Sequence, residues 1–139
     1  MTYYYYLASD QKMGLGTGTL DLTVADDIIP GFDYPVQLEI MNGIEKEWEL
    51  RELLQYIRNH TASYKVCTVQ IANLLNSNKV EMKVREKSKI LLHEISDPKQ
   101  ILLSEGQLLT IKKVPVFMKW NKQRSKKDDT YSIKCISFR

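Results

Sequence analysis

Leu50, Leu53, Leu54 and Ile57 recur at i, i+3, i+4 and i+7, the apolar stripe of a helix lying on a core. The spacing predicts a helix over about 45–59. Glu45, Glu47 and Glu49 crowd its first turns, where the helix dipole favours negative charge. Glu47 and Arg51 stand at i, i+4, an ion-pair spacing. Elsewhere the apolar period is two, or the residues are aromatic and β-branched, which suits strands.

Residues 3–9 (YYYYLAS) read as a strand with two tyrosines on each face. A glycine-rich loop over 10–18 follows, and the alternating 19–24 makes a hairpin partner for that first strand. Residues 35–41 alternate again and place Val36, Leu38 and Ile40 on one face. The segment 64–75 leans towards strand, with helix as its alternative. Residues 79–85 (KVEMKVR) set Val80, Met82 and Val84 against Lys79, Glu81, Lys83 and Arg85, a strand with one wet face. Further strands are expected at 89–95, 107–113, 114–120 and 131–138. Ser96-Asp97-Pro98 with Gly106 beyond marks a short helix over about 98–105. The pattern therefore predicts an α+β fold, a mainly antiparallel sheet with one main helix packed on one face. The sheet can also curl into a partial barrel.

At 139 residues the chain is the length of a single globular domain, 1–139, able to bury one core. Cys67 and Cys135 stand in no metal-ligand or redox spacing and read as buried free thiols in a reducing compartment. The start of the chain has no basic flank or apolar stretch of signal-peptide character. No run approaches the roughly 18 apolar residues of a spanning helix. A soluble cytoplasmic protein is expected, without membrane contact, metal or cofactor.

The net charge of +3 conceals an asymmetry. Residues 1–70 carry five Lys/Arg against ten Asp/Glu, and residues 71–139 carry fifteen against seven. The most specific signal lies in 112–127: Lys112, Lys113, Lys119, Lys122, Arg124, Lys126 and Lys127 with no acidic residue, and Phe117 and Trp120 among them. A basic hairpin with aromatics at its base can track a phosphate backbone. The same residues also suit a solvated loop tip and a lysine-protected edge strand, the commoner meaning of a charge run, and Asp128 and Asp129 follow directly.

Other features carry less. Gly14, Gly16 and Gly18 meet neither the dinucleotide nor the P-loop spacing and precede a strand, so they read as a flexible loop. His60 should follow the main helix, and His93, in an apolar run, reads as a core histidine. Asp21, Asp26, Asp27, Asp33 and Glu39 lack the pattern of a calcium loop and read as solvated carboxylates. Trp48 falls roughly 160° from Leu50, on the helix's polar side, where a tryptophan suits a partner contact or the cover of a neighbouring loop.

Three functions fit these patterns. The first is a non-catalytic binding or regulatory module that holds an acidic partner, a nucleic acid or an acidic protein. Lys119, Lys122, Arg124, Lys126 and Lys127 would supply charge, with Trp120 stacking or anchoring and Trp48 a further anchor. The second is a small enzyme or ligand-binding protein with a site assembled from His60, His93 and the Asp26/Asp27 turn. The third is a homo-oligomer joined through its acidic and basic halves.

Overall fold

The computed structural model describes residues 2–16, 18, 20–40, 44–76 and 83–115. Six strands and one long helix follow in the order β1 (Thr2–Ser9), β2 (Leu22–Asp27), β3 (Val36–Ile40), α1 (Glu47–Thr61), β4 (Cys67–Asn76), β5 (Glu86–Leu91) and β6 (Gln107–Lys113). Short 3₁₀ turns at Leu92–Glu94 and Pro98–Ile101 lie between β5 and β6. The strands form one open sheet in the order β2-β3-β1-β4-β6-β5. All neighbours are antiparallel except β5 and β6, which run parallel. This is the expected α+β fold with a mostly antiparallel sheet. Among the described residues the sheet is open, not closed into a barrel.

Strand position follows from how many faces each segment can bury. Tyr5, Tyr6, Leu7 and Ala8 are consecutive and all buried, as are Cys67 to Ala72, so β1 and β4 occupy the interior of the sheet. β2 and β5 carry mostly exposed residues and form its edges. α1 packs Leu50, Leu53, Leu54 and Ile57 on one face of the sheet, against Tyr5, Leu7, Leu38, Ile40, Val69, Ile71, Leu109 and Ile111. The opposite face, with Tyr6, Ala72, Leu74 and Leu108, is covered by Ile29 and Phe32 from the β2–β3 connection and by Val84.

Two polar side chains tie these layers together. The Tyr5 hydroxyl accepts a hydrogen bond from the Leu103 N–H (2.8 Å) and donates to the Ile101 carbonyl (3.4 Å), fixing the β5–β6 connection over the core. Burial pushes the Tyr5 phenol up to about 12, so it stays a neutral donor and acceptor. On the other face, fully buried Gln70 accepts from the Asp33 N–H (2.8 Å) and donates to the Asp33 carboxylate (2.9 Å) and the Thr110 hydroxyl (3.1 Å). The covering loop is thereby pinned to the sheet, and the Gln70 amide is satisfied where a lone one would be costly.

Several boundaries and pairings differ from the sequence expectation. α1 starts two residues later, at Glu47, because Glu49 reaches back to accept the Lys46 and Glu45 N–H groups. It runs two residues further, to Thr61, whose hydroxyl donates to the Ile57 (2.9 Å) and Arg58 (3.3 Å) carbonyls. His60 is thus in the last turn of the helix, not beyond it. The segment 19–24 does not form a hairpin with β1. Both sides of β1 are taken by β3 and β4, the intervening loop crosses to α1, and β2 pairs with β3 alone. Val36 does not share a face with Leu38 and Ile40. The register slips between Leu7 and Ala8, a β-bulge at Gln37 that turns Val36 to the other core.

The strand expected at 89–95 begins earlier, at Glu86, and gives way to a 3₁₀ turn at Leu92. The helix expected over 98–105 is a single 3₁₀ turn that ends at Ile101. Its cap is as the sequence suggests, with the Asp97 carboxylate accepting from the Lys99 N–H (2.9 Å) and Gln100 reaching back to the Asp97 N–H (2.9 Å). Gly106 instead serves the turn into β6, at φ +90°. Of the strand expected at 79–85, residues 79–82 lie outside the described residues and 83–85 lead into β5 without being strand. The strands expected at 114–120 and 131–138 lie outside the described residues apart from Val114 and Pro115, which follow β6.

Candidate functional site

The polar side of α1 faces the glycine loop, and the two enclose a groove of about 280 Å³. Glu52, Gln55, Tyr56, Asn59 and His60 line the helix wall, and Gly14, Leu15, Gly16, Gly18, Leu20 and Leu22 the other. The glycines serve a close approach of loop to helix rather than an anion cradle. The Tyr56 hydroxyl donates to the Gly14 carbonyl, and the Tyr56 ring lies so near Gly16 (φ +74°) that a Cβ there would sit 3.1 Å from it. Burial pushes the Tyr56 phenol up to about 12, which keeps it protonated for that bond. Gln37, the bulge residue, holds the start of the same loop by accepting from the Met13 N–H (2.9 Å) and donating to the Ser9 and Gln11 carbonyls.

Beside the groove, Ser9, Asp10, His60 and Cys67 meet at the end of β1. His60 Nε2 is 3.3 Å from Ser9 Oγ, which lies 3.8 Å from Cys67 Sγ. Asp10 Oδ1 accepts from the Thr68 N–H (3.0 Å) and the Cys67 thiol (3.5 Å). These residue types could form a nucleophile–base relay, but their arrangement opposes one. Burial pushes the Cys67 thiol up, away from the reactive thiolate. Asp10 is committed to β4 and reaches His60 only by way of the Ser9 hydroxyl, which donates to it (3.5 Å), and through its field. Among the described residues, therefore, no carboxylate binds the ring directly as a catalytic dyad requires. The cluster fastens the root of the loop to β4 and α1.

That fastening is pH-sensitive. Burial holds the His60 imidazolium below its ordinary range, with Asp10 opposing in part. A depressed histidine leaves the fold at full stability above the unfolded value of about 6.5, and stability falls as pH drops through it. Urea unfolding of His60→Asn should therefore show a smaller loss of stability on mild acidification than the parent protein. Equal losses in the two would contradict this reading.

A second cavity of about 220 Å³ opens at the other side of the C-terminal end of α1, lined by Arg58, Leu92, His93, Ile95, Lys113 and Val114. Three basic residue types surround an apolar floor, and among the described residues no acidic side chain lines it. Arg58 donates from a guanidinium nitrogen to the Ile95 carbonyl (3.2 Å), and Lys113 Nζ donates to the Thr61 carbonyl (2.8 Å). Each cation is held in place by one bond and keeps further donors to offer. Neither is paired with a carboxylate among the described residues. His93 is exposed, not the core histidine expected from its apolar neighbours, because the 3₁₀ turn at Leu92–Glu94 swings it out of the sheet pattern.

The sequence-predicted site residues are distributed as follows. Lys119, Trp120, Lys122, Arg124, Lys126 and Lys127 lie outside the described residues. The described chain nevertheless ends at Pro115, two residues beyond Lys113 in the basic cavity wall. Trp48 is 44% exposed in the first turn of α1, on the polar side, one turn before Glu52. His60 and His93 line different cavities, and Asp26 and Asp27 stand on edge strand β2, so the proposed assembly of these four is not formed. Ser9, Asp10, Arg58 and the capping role of Lys113 were missed; their partners lie between 37 and 58 residues away, beyond any sequence window.

Among the described residues no three His, Cys, Asp or Glu side chains gather as a metal site, and no helix is long and apolar enough to cross a membrane. Compared with protein families, curated proteins and solved structures, the chain matches none.

Proposed function

We propose that the protein is a non-catalytic binding or regulatory module that holds an acidic partner on the side where α1 and β6 end. One observation carries this reading: Arg58, His93 and Lys113 surround a single cavity, with the two fixed cations unpaired by any carboxylate of the described residues. A helix C-terminus by itself repels anions through about half a negative charge. Two full cations over that end outweigh it, and the carbonyls they cap keep them oriented. In sequence Lys119, Trp120, Lys122, Arg124, Lys126 and Lys127 follow, and their charge would favour the same kind of acidic partner. Phosphates or carboxylates can take the remaining donors in charge-assisted bonds.

The test is binding of a labelled single-stranded oligonucleotide, with an acidic peptide as the second probe. Arg58→Gln/Lys113→Gln should weaken binding of the true partner class at least tenfold, since a hydrogen bond to a charged group is worth about 1.5–3 kcal/mol. Lys12→Gln, exposed and outside both the cavity and the basic segment, is the control and should change it little. Circular dichroism verifies that the double variant folds. Unchanged binding by a folded double variant would overturn the assignment to this cavity.

The loop–helix groove supports a second reading, small-molecule binding, since its volume falls near the lower end of about 300–1,000 Å³ for ligand sites. Chemical-shift mapping in the same titrations separates the two: changes centred on Gly14, Gly16 and Asn59 favour the groove, and changes centred on Arg58, His93 and Lys113 the basic cavity.

A further inference from the structure

The two edges of the sheet bear opposite charge. β2 and its flanks carry Asp21, Asp26 and Asp27, all exposed and none in an ion pair among the described residues. β5 and its approach carry Lys83, Lys87 and Lys89, likewise exposed and unpaired there, while Arg85 is bound to Glu105. Against these stands one exposed acid, Glu86, which accepts from the Gln107 amide (3.0 Å). Among the described residues each of these strands has a neighbour on one side only. Among the described residues the other backbone edge of each has no strand beside it, which is where a further strand would pair.

We infer that copies of this chain associate head to tail, the basic β5 edge of one against the acidic β2 edge of the next. Charge selects this pairing over the alternatives. β5 against β5 would join two edges that each carry three lysines to one glutamate, and β2 against β2 would oppose aspartates, so both symmetric contacts set like net charge against like. Geometry allows it as well. Counting directions across the sheet, β2 and β5 run the same way, so a copy displaced along the sheet brings them together as a parallel pair.

The acidic edge also has apolar contact to offer, with Val24 73% and Ile28 87% exposed. Ile90 and Leu91, half-buried on β5, are their counterparts. Glu39, on the strand beside β2, is held above the ordinary carboxylate range by burial and then by the charge of Asp27. An incoming lysine relieves that repulsion. The bulge between Val24 and Asp27 shortens the regular ladder, and an edge of six residues is small against the roughly 800 Å² per partner of a stable complex. The contact is accordingly weak, concentration-dependent and salt-dependent. Being heterologous, it leaves a free edge at each end and builds chains rather than closed dimers.

Sedimentation velocity of the full chain over a concentration series tests this. At low ionic strength the average mass should rise with concentration, and at about 1 M salt, where screening acts over about 3 Å, it should return to monomer. Lys87→Glu/Lys89→Glu and Asp26→Lys/Asp27→Lys should each be monomeric alone, because both edges then share a sign. Mixing the two variants should restore association, which a misfolded variant could not do. Lys87→Gln/Lys89→Gln should fall between parent and reversal. A parent protein that stays monomeric at low salt, or association indifferent to the charge reversals, overturns the inference. This contact does not involve Arg58 or Lys113, so its failure leaves the proposed partner cavity standing.

Discussion

Leu53→Ala should cost about 2–5 kcal/mol of folding stability, the usual range for emptying a well-packed leucine site. Leu53 is fully buried in the centre of the α1 stripe, among side chains of the inner strands. The helix backbone fixes its position and the sheet opposite cannot follow a retreating side chain, so most of the cavity will remain. A small domain has only about 5–15 kcal/mol to lose, which makes this a large fraction of the whole. In urea the midpoint should fall with little change of slope, whereas Gln55→Ala, exposed on the same helix, should stay within about 0.5 kcal/mol of the parent. A Leu53→Ala midpoint equal to the parent's would mean that α1 does not close the core.

Gly31→Ala should be of similar size for a different reason. Gly31 has φ +106°, and a Cβ there would lie 2.6 Å from the Val84 Cβ and 2.7 Å from one of its methyls. Backbone strain of about 1–3 kcal/mol and overpacking of about 1–3 kcal/mol act together. Val84 is branched at the atom being struck and cannot swing aside, so the covering loop must lift. That exposes the second core, where Ile29 and Phe32 sit over Tyr6, Leu74 and Leu108. Gly14→Ala is the matched control: nothing lies within 4 Å of its Cβ position, and its φ is not positive. Thermal denaturation should show a marked drop for Gly31→Ala and little change for Gly14→Ala. Equal melting temperatures would show that the loop does not cover this face.

Local periodicity carried much of the architecture. The leucine stripe located α1, and the unbroken burial capacity of Tyr5–Ala8 and Cys67–Ala72 explains why these strands became internal. What the sequence left hidden is non-local. The pairing of β2 with β3 depends on where a twelve-residue connection travels, and that path is set by Gln37 and Tyr56 reaching loop carbonyls. The bulge that turns Val36 away is invisible in VQLEI, which alternates without interruption. His93 reads as core because Ile90, Leu91 and Leu92 precede it, yet a single 3₁₀ turn reverses its environment.

The candidate site follows the same division. Charge asymmetry between the halves is plain in the sequence, and the fold turns it into two edges of opposite sign. The basic cavity was not legible, because Arg58 reads as a solvated helix residue and Lys113 as the end of a strand. Only the docking of β6 alongside the end of α1 brings them to one place.

Fluorescence anisotropy of a labelled single-stranded oligonucleotide and of a labelled acidic peptide, titrated with the protein over a series of salt concentrations, tests the acidic-partner reading most directly. The account predicts saturable binding of one probe that weakens as salt rises. For about four contacts to single-stranded phosphates, the logarithm of affinity should fall with the logarithm of salt at a slope near −2.8, from roughly −0.7 per contact. Absence of binding to either probe at low ionic strength would contradict it.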